Sequence, residues 1–203
     1  MTKLLHIDSS ILGGYSVSRQ LSAEAVTQLT AGRSDMEVSY RDVAANPIPH
    51  LSGGYLAALQ SAEADRTPEL EADIALGAEV LEEFIAADIV VIGAGLYNFG
   101  IPSQLKAWID RVLVAGKTFS YVDGKPTGLV PGKRIILTVA RGGFYGSESP
   151  IASFEHTETY LKTAFAFIGL NAEAIVAEGI AVGPDQRAAA VEAAQAQIAA
   201  LHA

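Results

Sequence analysis

Three short stretches concentrate the side chains able to do chemistry. Residues 8–18, DSSILGGYSVS, gather Ser9, Ser10, Ser16 and Ser18 around Gly13 and Gly14 and run directly into a helical pattern. Hydroxyls beside the free N–H groups of a helix N-terminus hold an anion, a phosphate above all, without any cationic side chain. The plain alternative is that these serines only cap the helix, because serine is a favoured cap. Residues 93–102, GAGLYNFGIP, follow Leu96 with two flat apolar faces, Tyr97 and Phe99, and set Asn98 between them with both donors and acceptors. That combination suits a planar heterocycle with a polar edge; the alternative is that both rings pack under the helix that Pro102 opens. The third stretch, residues 140–150, ARGGFYGSESP, brings Ala140, Arg141, Gly142 and Gly143, where glycine lets backbone approach a ligand closely.

The elements between these stretches say whether they can meet. Short apolar runs at residues 3–7, 36–40, 89–92, 134–139 and 172–177 read as five strands. Helical spacing, with Pro or Asp near the starts, covers residues 18–30, 68–86, 102–114, 154–168 and 185–201. Strand and helix alternate, which predicts an α/β fold: one doubly wound, five-stranded parallel sheet with helices on both faces. In the flavodoxin-like order 2-1-3-4-5 the switch point lies between strands one and three, and ligands sit there beyond the carboxyl ends of the strands. The loops leaving strands one, three and four are the three unusual stretches. Two segments depart from the rhythm: a Pro/Gly-punctuated connection at residues 42–61, and residues 118–133, where Phe119-Ser120-Tyr121 and Asp123-Gly124 predict a small hairpin. Neither reads as an interdomain linker, so residues 1–203 are expected to form a single domain.

Composition removes whole classes of function. The chain has 203 residues, half of them hydrophobic, and a net charge of −9 that argues against nucleic acid as a partner. It has no cysteine, which excludes disulfides, thiolate nucleophiles, iron–sulfur clusters and Cys-type zinc sites; no metal is expected. No apolar segment approaches the ~20 residues of a membrane span. The N-terminal apolar run is too brief and too polar for a signal peptide, so the expected location is the cytoplasm.

Familiar fingerprints fail. No G-x-G-x-x-G follows the first strand. Residues 115–118, AGKT, imitate the tail of a P-loop, but Arg111 stands where its glycine belongs. The segment from Gly14 to Ser18 misses a nucleophile elbow because Ser18 replaces the last glycine, and His6, His50, His156 and His202 offer no convincing partner for a hydrolytic Ser16. A phosphate loop, a flat ring site and a flavodoxin-like strand pattern together point instead to flavin mononucleotide (FMN). The Gly142 and Gly143 amides are then placed to approach the pyrimidine edge, where charge accumulates on reduction. No catalytic side chain is required, since the cofactor carries the redox step.

On these residues the chain resembles the bacterial FMN-dependent NADH azoreductases and quinone reductases. The resemblance runs nearly the full length, through SSILGGYSVS with RQLS (9–22), RDVAANPIPHL (41–51), LYNFGIPSQLKAWID (96–110), GKTFSY (116–121), GLVPGK (128–133), RGG (141–143), FIG (167–169) and AEGIAVGP (177–184). It implies FMN phosphate held by Ser10, Ser16, Val17 and Ser18, and the isoalloxazine held by Leu96, Tyr97, Asn98 and Phe99 with Ala140, Arg141, Gly142 and Gly143. Leu96 replaces the family's common methionine, apolar for apolar, whereas Ala140 replaces a serine and removes a hydroxyl. The resemblance also implies a homodimer with the active site at the subunit interface, and substrate contacts from Phe99 and from Tyr121 of the hairpin. The hairpin alone reads equally well as surface decoration. The implied activity is two-electron ping-pong transfer of hydride from NADH or NADPH to a quinone or azo acceptor. The rival from another class is a flavodoxin-type electron carrier, which exchanges single electrons with protein partners and needs an exposed flavin edge, not an aromatic pocket.

Overall fold

The protein is described by a computed structural model covering residues 1–60, 62 and 66–202. Residue 61, the last of the expected Pro/Gly connection, lies outside the described residues. Five parallel strands build the sheet: β1 (Thr2–Asp8), β2 (Met36–Asp42), β3 (Ile89–Gly95), β6 (Arg134–Arg141) and β7 (Ala172–Glu178), in the order β2-β1-β3-β6-β7. The two remaining strands, β4 (Phe119–Val122) and β5 (Lys125–Gly128), form the expected antiparallel hairpin, turning at Asp123 (φ 50°) and Gly124 (φ 74°). The helices are α1 (Val17–Thr30), α2 (Gly53–Ala58), α3 (Pro68–Ala86), α4 (Ser103–Val112), α5 (Glu158–Phe167) and α6 (Pro184–Ala199).

Alternation along β3 divides the core. Val90 and Ile92 face a layer with Val80 and Phe84 of α3, Leu105 and Trp108 of α4, and Phe165 of α5. Val91 faces the opposite layer with Leu21 and Leu29 of α1 and Ala194 and Ile198 of α6. Each fully buried Leu, Ile or Phe side chain contributes about 1.5–3 kcal/mol through loss of apolar surface to water. Phe84 and Trp108 meet edge to face with centroids 5.8 Å apart. Strand β2, at the sheet edge, is largely exposed and not continuously apolar.

Three expected boundaries shift for local reasons. Strand β3 continues through Gly93, Ala94 and Gly95, which the sequence pattern gives to a loop. Gly93 tolerates no side chain there: a Cβ would stand 2.6 Å from Asp8 Oδ1 and 3.0 Å from the Ser18 carbonyl. Helix α5 begins at Glu158, later than expected, because the Glu155 carboxylate accepts hydrogen bonds from the Thr157 and Glu158 amides (2.8 Å each) and from Thr159 (3.0 Å), ending the preceding turn. Residues 115–118 are structural: the buried Thr118 hydroxyl donates to the Val112 carbonyl at 2.7 Å and ties down the end of α4.

The hairpin roots at the amino ends of β6 and β7. A Cβ on Gly128 would lie 1.9 Å from the Ile168 carbonyl oxygen, and Phe119 packs on Phe167 with centroids 4.8 Å apart. Both contacts fall in the α5–β7 corner, at the sheet edge opposite the loops of chemical interest.

Candidate active site

The carboxyl ends of β1, β3 and β6 lead into one cavity of about 260 Å³, between the serine loop, the aromatic loop and the Gly142 turn. Ser10, Ser16, Val17, Ser18, Leu96, Tyr97, Ala140 and Gly142 all line it. Four other expected residues, Asn98, Phe99, Arg141 and Gly143, stand beside the cavity and do not line it.

The serine loop presents donors. Ser16 caps α1 by accepting from the Arg19 amide (3.3 Å), while its hydroxyl stands 3.1 Å from that of Ser18. The capping reading of the serines thus holds for Ser16, yet the Val17 and Ser18 amides find no acceptor among the described residues. They open into the cavity with the positive end of the α1 dipole behind them, an arrangement that favours an anion.

A charged scaffold that the sequence pattern did not reveal holds this loop in shape. Arg19 donates to the Ser10 carbonyl through Nε (2.9 Å) and Nη2 (2.7 Å). The same guanidinium grips Asp42 at the end of β2 in a fork, at 2.6 and 2.8 Å. The Arg19 hydrogen bonds chiefly, against the opposing pull of burial, hold the Asp42 carboxyl below its ordinary value. Beneath lies Asp8, which accepts from Ser22 (2.7 Å) and Tyr40 (3.1 Å). His6 is 2.9 Å from the Ser22 hydroxyl and is therefore part of this buried network, far from the role a hydrolytic Ser16 requires. Gly93→Ala drives a methyl group into this cluster, and overpacking of that kind costs about 1–3 kcal/mol. Chemical denaturation should show a lower midpoint with an unchanged slope; an unchanged midpoint would show that the cluster yields freely.

The aromatic loop is a tight hairpin turn. Tyr97 N–H donates to the Gly100 carbonyl (2.9 Å) and Gly100 N–H returns the bond (3.0 Å). The central residues Asn98 (φ 46°) and Phe99 (φ 72°) both take left-handed backbone, the geometry of a type I′ turn. Asn accepts this conformation, while Phe at that φ is strained by about 1–2 kcal/mol. The two rings take different parts. Tyr97 lies against Gly95, and its hydroxyl is 2.8 Å from Ser10 Oγ, linking the aromatic loop to the serine loop. Phe99 is exposed and meets Phe154 (centroids 5.4 Å) and Tyr145 (6.4 Å) edge to face, forming an aromatic rim. Because both substitutions delete the same ring, Phe99→Gly should be about 1–2 kcal/mol more stable than Phe99→Ala. Calorimetry of the two variants checks this, and equal melting temperatures would remove the strain.

The Gly142 turn is pinned from behind. The carbonyls of Arg141, Gly142 and Gly143 accept from the amides of Ile180, Ala181 and Gly179 at 3.0–3.2 Å. Arg141 itself points its buried guanidinium at Glu158, at Glu178 (3.4 Å) and at Glu155 (3.5 Å). Its part is to join the ends of β6 and β7 to the start of α5.

Other expected residues fall elsewhere. Tyr121 is exposed on the hairpin, edge to face on Phe119 (5.8 Å), and does not line the cavity of its own chain. His50 and His156, isolated in sequence, both line a second, wider cavity of about 730 Å³ with Gly100, Lys106 and Tyr160, directly beside the Phe99 turn. Arg187, from the first turn of α6, lines the smaller cavity and escaped the sequence reading.

A parallel sheet of this order with its cavity at the β1/β3 switch defines a class. The model of the flavodoxin-like fold family matches residues 2–201, and the chain belongs to that family, alongside the FMN-dependent NADH:quinone oxidoreductases. The protein of that name from Xanthomonas campestris is 61% identical over 201 residues, covering 98% of both chains. The one from Methylorubrum extorquens strain PA1 is 56% identical over 202 residues and covers 99% of each. Among solved structures, an azoreductase from Bacillus anthracis superposes with a TM-score of 0.86 at 31% identity, covering 98% of this chain and 97% of its own. An FMN-dependent NADH-azoreductase from the same species, in complex with FMN, superposes at 0.88 with 25% identity, covering 98% and 96%.

Proposed function

We propose that the protein is an FMN-dependent NADH:quinone oxidoreductase that also reduces azo compounds. The observation that carries this reading is the convergence, at the switch point, of unpartnered helix amides, three serine hydroxyls, an aromatic loop and a glycine turn on one cavity. The donor set fits FMN: the Val17 and Ser18 amides and the Ser10, Ser16 and Ser18 hydroxyls would hold a dianionic phosphate, while Leu96 and Tyr97 would line a flat ring, with Asn98 and Phe99 beside it. FMN held there would supply two-electron redox chemistry between NADH and the acceptor.

The chain's own residues bind, orient and exclude water. Ser10 and Tyr97, bonded to each other, set the distance between the phosphate end and the ring end. Asn98 supplies donor and acceptor at the ring's polar edge. The Gly142 amide at the cavity wall, and that of Gly143 beside it, both with their carbonyls already occupied, would stabilise negative charge developing on the bound ring. Ala140 offers no hydroxyl, so any polar contact there would come from its backbone. The Phe99 rim offers flat apolar surface to quinones and azo compounds and supports the enzyme reading over that of an exposed-edge electron carrier.

The functional unit in this reading is a cytoplasmic homodimer of one FMN-binding domain spanning residues 1–203, with Tyr121 of one subunit contributing to the acceptor site of the other. No helix among the described residues is long and apolar enough to cross a membrane. The test is direct: purified protein should carry a yellow flavin spectrum, and anaerobic NADH should bleach it within the time of an assay. Colourless protein, or yellow protein that NADH leaves oxidised, overturns the proposal.

A further inference from the structure

The structure points to Arg187 as a specificity-determining residue: we propose that its guanidinium supplies the positive charge for the phosphate seated at the N-terminus of α1, making the chain select FMN over uncharged riboflavin. The inference rests on the FMN reading of the cavity and adds a residue to it.

Arg187 differs from six other arginines of the chain. Arg19, Arg33, Arg41, Arg111, Arg134 and Arg141 each meet a carboxylate. Arg187 meets none among the described residues, although acidic side chains outnumber basic ones 23 to 14 in this protein. It is also the one charged side chain, among the described residues, that lines the 260 Å³ cavity. Its Nη2 donates to the Tyr15 carbonyl at 3.3 Å, immediately before the cap residue Ser16. Arg187 is exposed, and its remaining guanidinium donors are open to solvent at the cavity mouth. A cation without a carboxylate partner, bonded two residues before the first unpartnered helix amide, is placed to meet an anion seated there.

The start of its helix is placed from below. Helix α6 packs along α1 through Ala194 and Ile198, and Gln195 Nε2 donates to Glu24 Oε1 of α1 at 2.9 Å. The start of α6 therefore stands beside the start of α1, and an arginine in the first turn of one reaches the anion site of the other. The serine loop supplies hydrogen bonds of fixed geometry; Arg187 adds a charge that a neutral flavin cannot use.

The experiment is flavin titration of the full chain stripped of flavin, read by fluorescence quenching, for wild type, Arg187→Ala, Arg187→Glu and Arg187→Lys. FMN and riboflavin are compared at low and high salt. Loss of one charge-assisted contact should weaken FMN binding about tenfold or more in Arg187→Ala. The glutamate variant should weaken further, lysine should recover part of the loss, and riboflavin affinity should not change. The salt dependence of FMN binding should flatten in Arg187→Ala. Unchanged FMN affinity in the alanine and glutamate variants would overturn the proposal, leaving Arg187 as a surface contact to Tyr15. Equal weakening toward both flavins would also overturn it, by showing a purely structural part. Wild-type protein that binds neither flavin would sink the FMN reading and this inference with it, whereas wild-type binding with unaltered variants sinks only the inference.

Discussion

Arg19→Met should lower stability by about 3–5 kcal/mol, because it breaks a largely buried ion pair and strands its partners. The Arg19 side chain is 15% exposed and that of Asp42 16%; Asp8, 6% exposed, lies 3.7 Å from the guanidinium. Methionine fills much of the volume and satisfies none of the hydrogen bonds to the Ser10 carbonyl or to Asp42. The serine loop then loses its anchor, so flavin affinity should fall together with stability. The effect has a defined pH signature. Asp42 has a folded-state pKa below its unfolded value, so its contribution is fully present above the unfolded value and is lost as pH falls through the folded one. Wild type should consequently lose more stability on acidification than Arg19→Met, and the gap between them should narrow in acid. Denaturant titrations at neutral and acidic pH measure both curves; a gap that stays constant would refute the ion-pair account.

Arg141→Met should be comparably severe, again about 3–5 kcal/mol, since three glutamates lose their common counter-charge. The site of failure differs. Burial pulls Glu155 upward, but the amides of Glu158, Thr159 and Thr157, with the Arg141 charge, outweigh it and hold the carboxyl below its ordinary value. Without Arg141, Glu155 should take up a proton at higher pH, and the start of α5 should fray. Glu178, which also accepts from the Tyr145 amide at 3.1 Å, loses its hold on the turn after Gly143. Hydrogen exchange should rise at residues 143–159 and remain near wild type along α1; exchange rising uniformly would mean global destabilisation without the predicted locality.

The difference between these two arginines shows what a sequence pattern carries. Alternating apolar runs and helical spacing marked five strands, most plainly at Ile89–Ile92, where burial on both faces imposes a continuous apolar run, while their order 2-1-3-4-5 followed from the flavodoxin-like pattern. The three chemical loops were legible for the same reason: topology places them, whatever their contents. Arg19 was not legible, since its partners lie 9 and 23 positions away and no local period relates them. The extension of β3 through Gly93 depends on the approach of Asp8 and Ser18, contacts invisible along the chain. Phe99 reads as a ring in a loop, and only backbone geometry reveals its left-handed conformation. The pairing of His50 with His156 in one cavity, and the reach of Arg187 across to Tyr15, likewise arise only when the helices are packed.

The rooting of the β4–β5 hairpin has a consequence for how activity should scale with protein concentration. Its base is wedged into the α5–β7 corner, and the eight-residue strand β6 separates that corner from the cavity by about 25 Å. A lone chain therefore cannot lay Tyr121 over its own cavity. In the homodimer proposed above, a shared acceptor site makes turnover per chain a function of association: specific activity should drop when enzyme is diluted below the dimer's dissociation constant, while flavin retention, supplied by one chain's loops, should persist longer. Activity per chain that stays flat across such a dilution series, with monomers demonstrated by sedimentation, would place the complete acceptor site within a single subunit.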